Sequence, residues 1–203
     1  MNTTTQLPIG LASEQLLQPA GLEQHDLEAA LGKLMRGDVD SAELYFQVLR
    51  QESWSLEDGI VREGSHSIDR GVGVRAVAGE KTGFAYSDEL VLPALMSAAG
   101  AARAIAHHGQ EKSVQAWRRS VPAPLYPDSD PTTSIDDEQK THLLLELDAA
   151  TRGLDSRVEQ VIISMASSQE LILCAASDGT MAADVRPLIR LNVSVILEHE
   201  GQR

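Results

Sequence analysis

Two Asp-Gly dipeptides, Asp58-Gly59 and Asp178-Gly179, each stand between runs rich in apolar residues. Asp-Gly accepts the positive φ angles of tight hairpin turns, so antiparallel pairing is expected in two separate stretches. In the first stretch, Leu44, Phe46 and Val48 alternate with Tyr45, Gln47 and Leu49, as a strand does. Trp54–Val61 is a second strand region around the turn or bulge at 58–59, Ile68–Val77 a third and Thr82–Tyr86 a fourth, with a turn at 78–81. Connections this short favour an antiparallel meander. In the second stretch, strands are expected over Arg157–Met165, Glu170–Ala176, Met181–Arg186 and Leu188–Glu198, with Pro187 breaking or bulging the last pair.

Helices precede and follow these strands. Leu27, Ala30, Leu31, Leu34 and Met35 recur at helical spacing and predict a helix over 24–36, stopped by Gly37. Ser87-Asp88-Glu89 supplies a cap and acids for a helix through Leu92, Leu95, Ala99, Ala102 and Ala106, ending at Gly109. Its alanines imply close packing against a sheet. Ser134–Asp137 matches a capping-box pattern, and Leu143, Leu144, Leu147 and Ala150 continue a helix to Gly153. The expected class is α+β: a mostly antiparallel sheet from two helix-plus-strands halves, with helices packed on one face. The expected divisions are a flexible tail and short helix over 1–23, a first half over 24–108, a Pro- and Asp-rich connection over 109–133, and a second half over 134–203.

Composition excludes several classes. Seventeen basic against 30 acidic side chains give a formal net charge of −13. Phosphate contact needs clustered Lys and Arg, so a nucleic-acid partner is not expected. The longest apolar stretches, such as Val91–Met96, fall far short of the ~20 residues of a membrane span. Met1–Ile9 has neither a basic nor an apolar leader region and reads as a frayed tail. The single Cys174 fits a reducing compartment, and a cytoplasmic location is expected.

The motifs that hint at chemistry lack their contexts. Gly71-Val-Gly73-Val-Arg-Ala76 fits a dinucleotide fingerprint, but strand and turn follow it where a phosphate-binding helix should begin. The glycines are expected to permit a bulge or the close approach of another chain. His199-Glu200 follows an alternating strand, not a helix, and reads as a strand-end surface pair. His107 and His108 point about 100° apart on a helix and suit its C-terminus better than a metal. Ser65-His66-Ser67 has no acid placed by the sequence. Cys174 is expected to be a buried structural thiol. Asp128, Asp130, Asp136, Asp137 and Glu138 lack the order of a calcium loop and read as a solvated linker.

Several segments, in order, carry a family resemblance. These are Leu44-Tyr-Phe-Gln47, Glu52-Ser-Trp54, Leu56-Glu-Asp58, Gly71–Ala76, Gly79–Tyr86, Glu170–Leu173, Ser177–Thr180 and Ala182–Leu188. Over residues 12–203 they resemble the N-terminal part of the TldD/PmbA metallopeptidase family, on its TldD branch. The resemblance implies a cytoplasmic zinc peptidase that acts on unfolded or flexible peptides and pairs with a TldE/PmbA paralogue. It implies zinc held by two His of a His-Glu-x-x-x-His motif and by a distant Cys, all in a C-terminal domain. Neither His199-Glu200 nor Cys174 matches those ligands. No catalytic, cofactor-binding or metal residue is therefore expected in this chain, which reads as the N-terminal domain alone, inactive by itself. Its expected role is to build a dimer, by self-association or with the paralogue, and to shape a peptide chamber. The alternatives are a stand-alone, non-catalytic binding module and an unrelated nucleotide-binding enzyme resting on Gly71 and Gly73.

Overall fold

The computed structural model describes residues 8–37, 39–106, 118–119, 125–127 and 129–200. The class is α+β, as expected. Helices α1 (Pro8–Ala12), α2 (Gln24–Leu34), α3 (Leu92–Ala106) and α4 (Asp137–Leu154) accompany strands β1 (Ser41–Glu57), β2 (Ile60–Ala78), β3 (Lys81–Ser87), β4 (Arg118–Arg119), β5 (Val158–Ala176) and β6 (Thr180–Leu197). The strands form one sheet in the order β3-β2-β1-β5-β6-β4. Asp58 and Gly59 both take positive φ, 51° and 72°, and turn β1 tightly into β2. Along β1 and β5, Arg50 meets Gln169, Glu52 meets Ser167 and Glu57 meets Gln160, a descending series that marks antiparallel pairing. The two-residue β4 runs parallel to β6, with Arg118 beside Thr180 and Arg119 beside Met181.

The strands are fewer and longer than the sequence predicts. β1, β2, β5 and β6 run 17, 19, 19 and 18 residues without interruption. The polar stretches at 50–53, 64–67 and 166–169 look like breaks, yet their side chains bond across the ladder. Ser53 Oγ accepts from the Ser65 amide at 3.0 Å, and Ser167 Oγ donates to Glu52 at 2.7 Å. Pro187 does not interrupt β6 either. Proline lacks an N–H, and on the outer side of a sheet that costs no ladder bond.

The chain divides into two compact units: residues 1–48, 69–126 and 170–185, and residues 49–68, 127–169 and 186–203. In the first unit, Leu44, Phe46 and Val48 of β1 and Val72, Val74 and Ala76 of β2 are buried beside Leu27, Leu31 and Leu34 of α2. α2 opens on a capping box between Glu23 and Asp26, which apolar spacing alone does not reveal. Lys33 Nζ donates to the Met96 carbonyl at 2.7 Å, and Arg103 Nε donates to that of Arg36 at 2.7 Å, tying α2 to α3. The alanine face of α3 lies on β3 as expected, with Ala98, Ala99, Ala102 and Ala106 buried. A Cβ built on Gly83 would stand 1.9 Å from the Ala102 carbonyl oxygen, so only glycine allows this approach. Ser87 caps a turn by accepting from the Glu89 amide at 3.1 Å, and the helix itself begins at Leu92. Pro8 and Ile9 belong to α1 rather than to a frayed tail. Residues 1–7, His107, His108, Gly109, Pro122, Pro124 and Asp128 lie outside the described residues.

In the second unit, α4 is capped by Asp136 and Gln139, two residues later than the sequence suggests. Ser134 Oγ instead donates to the Pro131 carbonyl at 3.3 Å. The helix continues through Gly153 to Leu154, and the Arg157 guanidinium beside Asp155 pulls that carboxyl down to about 2. Leu144 packs with Leu56, Val161, Ile163 and Met165 in a small apolar cluster.

Replacing Gly83 with Val is expected to cost about 3 kcal/mol or more in urea unfolding, because carbonyl and side chain cannot share that space. A change below about 0.5 kcal/mol would contradict the backbone contact.

Candidate functional site

The densest polar arrangement among the described residues lies in the second unit, where Lys140 turns inward from the first turn of α4. The buried stripe of this helix is Lys140, Leu144 and Asp148 at four-residue spacing. A lysine so placed must find partners or lose its charge. Lys140 Nζ donates to Glu52 Oε2 at 2.9 Å, to the Thr132 carbonyl at 3.0 Å and to Asp137 Oδ1 at 3.3 Å. The second Glu52 oxygen accepts from Ser167 Oγ at 2.7 Å. The Trp54 ring centroid is 5.7 Å from the ammonium, within cation–π range. Side-chain exposure is 3% for Lys140 and 9% for Glu52, so the pair is nearly dry.

Each element contributes one part. β1 presents Glu52 and Trp54, β5 presents Ser167, and α4 presents Lys140. The 130–134 turn presents the Thr132 carbonyl, held because Asp130 Oδ1 accepts from both the amide and the hydroxyl of Thr132. Arg50 reaches the other Asp130 oxygen at 3.6 Å. The acidic run expected to be a solvated linker is thus partly structural: Asp130 anchors a turn, Asp136 caps α4 and Asp137 faces Lys140. Ser53, Ser65 and His66 join Glu52, Trp54 and Lys140 around a cleft of about 310 Å³.

The chemistry of this arrangement is that of a staple. All three ammonium hydrogens are spent. Burial alone would push the Lys140 ammonium down, but its hydrogen bonds to Glu52 and Asp137 outweigh this and hold its pKa above the usual 10.5. A nucleophilic lysine needs the opposite shift. Among the described residues no group of three or more His, Cys, Asp and Glu side chains is placed to hold a metal ion, so zinc finds no fitting donor set there.

The other residues singled out by sequence are scattered. Gly71 and Gly73 lie in β2, where the rings of Tyr86 and Phe84 from β3 cover them. A Cβ on Gly71 would stand 2.7 Å from the Tyr86 ring, and one on Gly73 3.2 Å from that of Phe84. The approach is by side chains of the neighbouring strand of the same chain rather than by another chain, and no helix follows to receive a phosphate. Cys174 is half-buried on β5 rather than fully buried. His199 is exposed at the end of β6, 4.0 Å from Glu200. Apolar periodicity missed Lys140; the signal available was its position four residues before Leu144.

Breaking the staple from one side should be costly. Lys140→Met leaves Glu52 buried and uncompensated, with an expected loss of about 3–5 kcal/mol. The double variant Glu52→Leu/Lys140→Met should recover about 2 kcal/mol or more of that in chemical unfolding. A double variant as unstable as the sum of the two single variants would contradict the coupling. The pH dependence has a definite sign. A folded pKa above the unfolded value gives stability that is complete below pH 10.5 and is lost as pH rises through the folded value. Wild-type protein should therefore lose more stability than the double variant on going from pH 9 to about 11.5, followed by thermal unfolding.

Comparison with known proteins agrees with the fold. Residues 42–106 match the family model described as "PmbA/TldA metallopeptidase domain 1", and residues 130–203 match "PmbA/TldA metallopeptidase central domain". A metalloprotease TldD homolog of Haemophilus influenzae is 45% identical over 94% of this chain and 40% of its own length. One from Buchnera aphidicola of Schizaphis graminum is 34% identical over 97% of this chain and 41% of its own. The chain thus spans about two fifths of the curated relatives it matches. The crystal structure of TldE from Thermococcus kodakarensis shares the fold at a TM-score of 0.64 and 15% identity, over 87% of this chain and 40% of that one. No helix among the described residues is long and apolar enough to cross a membrane. With two models of one family matching along it, this chain belongs to the PmbA/TldD metallopeptidase family and corresponds to only part of the length of its relatives.

Proposed function

We propose that this chain forms the N-terminal, non-catalytic part of a TldD-like zinc metallopeptidase that acts on unfolded or flexible peptides in the cytoplasm. Residues 1–203 would together serve as one TldD-like N-terminal domain that builds the dimer, with a TldE/PmbA-like paralogue or a second copy, and walls the chamber that admits peptide. The observation that carries this reading is the ordered match to two domains of one family, first and central, over a chain two fifths as long as its relatives. The chemistry of the described residues is compatible with it. The buried Lys140–Glu52 cluster is saturated by its own partners, and a saturated cluster supports structure rather than turnover.

Zinc would be supplied and held elsewhere in a full-length member. This chain's residues would act by excluding bulk solvent and by restricting entry to extended chains. The test is direct: the purified chain is loaded with zinc, dialysed, and assayed for bound metal and for cleavage of a flexible peptide. Less than 0.1 zinc per chain and no turnover are expected. Stoichiometric zinc with turnover would overturn the proposal.

A further inference from the structure

In β3, Gly83 faces α3, so strand alternation turns Phe84 and Tyr86 to the opposite face of the sheet. Aromatics are 3% of this chain, yet these two rings are 59% and 63% exposed. Each ring reaches sideways across β2. Phe84 Cε2 and Cζ stand 3.2 and 3.3 Å from where a Cβ of Gly73 would be, and Tyr86 Cε2 stands 2.7 Å from that of Gly71. Both glycines are buried, so one face of each ring covers backbone and the other is turned outward. Leucine would also cover a strand glycine; a ring adds a π face that attracts cations. Rings two residues apart on a strand stand about 7 Å apart, the spacing of alternate side chains on an extended peptide. The nearby charges favour a cationic ligand. Arg75, opposite Phe84 in the ladder, is neutralised by Glu43 at 3.1 Å. Glu80 precedes β3, and Asp88 and Glu89 follow it. Among the described residues none of these three carboxylates has an ion-pair partner, and Lys81 is the one cation of the strand.

We propose that Phe84 and Tyr86 form a docking platform for an extended, basic peptide segment, with alternate Arg side chains stacked on the two rings and flanking ones near Glu80 and Asp88. A guanidinium is planar and weakly hydrated, so it stacks on an aromatic face better than an ammonium does. The net charge of −13 draws such a peptide from a distance and repels an acidic one. The platform deepens the peptide-admitting role proposed above and rests on it, adding which peptides are held and where. Aromatic side chains on a sheet also stack nucleobases, but the phosphates that come with them would meet these carboxylates.

The experiment follows the fluorescence anisotropy of labelled, flexible octapeptides titrated with the whole chain. Neither zinc nor cleavage enters the readout, so it can fail while the metal assay above succeeds. The probe alternates Arg with Ser, and Glu or Lys in place of Arg gives the controls. The Arg peptide is expected to bind about tenfold or more tighter than the Glu peptide and about threefold tighter than the Lys peptide. Phe84→Leu/Tyr86→Leu keeps the glycines covered, with circular dichroism to confirm folding, and should weaken binding of the Arg peptide about tenfold. Glu80→Gln/Asp88→Asn, at two exposed positions, should weaken it about threefold and flatten its salt dependence. Equal affinity for the Arg and Glu peptides, no binding of either, or wild-type affinity in the double Leu variant would overturn the proposal. Tighter binding of a single-stranded DNA octamer would assign the rings to bases and overturn it equally.

Discussion

The second unit depends on a dry ion pair. Its apolar cluster is small: Leu56, Leu144, Val161, Ile163 and Met165. A cluster of that size gives limited area to hold an 18-residue helix on a sheet. The Lys140 ammonium adds bonds to β1, to the 130–134 turn and to its own first turn, and Glu52 extends the network to Ser167 on β5. Burial of an ion pair contributes little net stability unless every lone pair and proton is satisfied. Here each Lys140 proton and each Glu52 oxygen has a partner, and no described buried side-chain polar atom lacks one. The value of such a network is positional. An apolar contact tolerates sliding, whereas three donors from one nitrogen fix where α4 starts.

The first unit is held differently. Its core is broad and apolar, and its closest approach relies on what is missing: Gly83 lets the α3 backbone reach β3, with Ala98, Ala99 and Ala102 keeping the helix low. The glycines of β2 do the complementary job by making room for the rings of Tyr86 and Phe84. A pattern that formally resembles a nucleotide fingerprint is thus explained by packing between neighbouring strands.

Much of this was legible in the residues. The Asp-Gly turns, the alanine face of α3 and the apolar periods of α2 and β1 all act through local geometry, which a sequence displays directly. Strand lengths were not legible, because Arg50–Ser53 and Ala166–Gln169 look like breaks until their cross-strand partners are known. The start of α4 was misplaced by two residues because Ser134 and Asp136 are both good caps, and the Ser134 bond to Pro131 decides between them. Lys140 was invisible for a related reason: a charged residue in a buried stripe is recognised only once the carboxylate that meets it, 88 residues away, is in view. The family resemblance, by contrast, was carried by ordered segments spread over nearly the whole chain.

Family membership rests on matches along most of the chain, and the Lys140–Glu52 cluster ties the second unit together from within. The central claim is that the Lys140–Glu52 network holds the second unit in place. Native-state hydrogen exchange on Lys140→Met tests it most directly. The account predicts lost protection in Gln139–Arg152 and in the β5 amides from 158 to 167, with the amides of α2 and α3 keeping theirs. Uniform loss along the whole chain, or unchanged protection in α4, would contradict it.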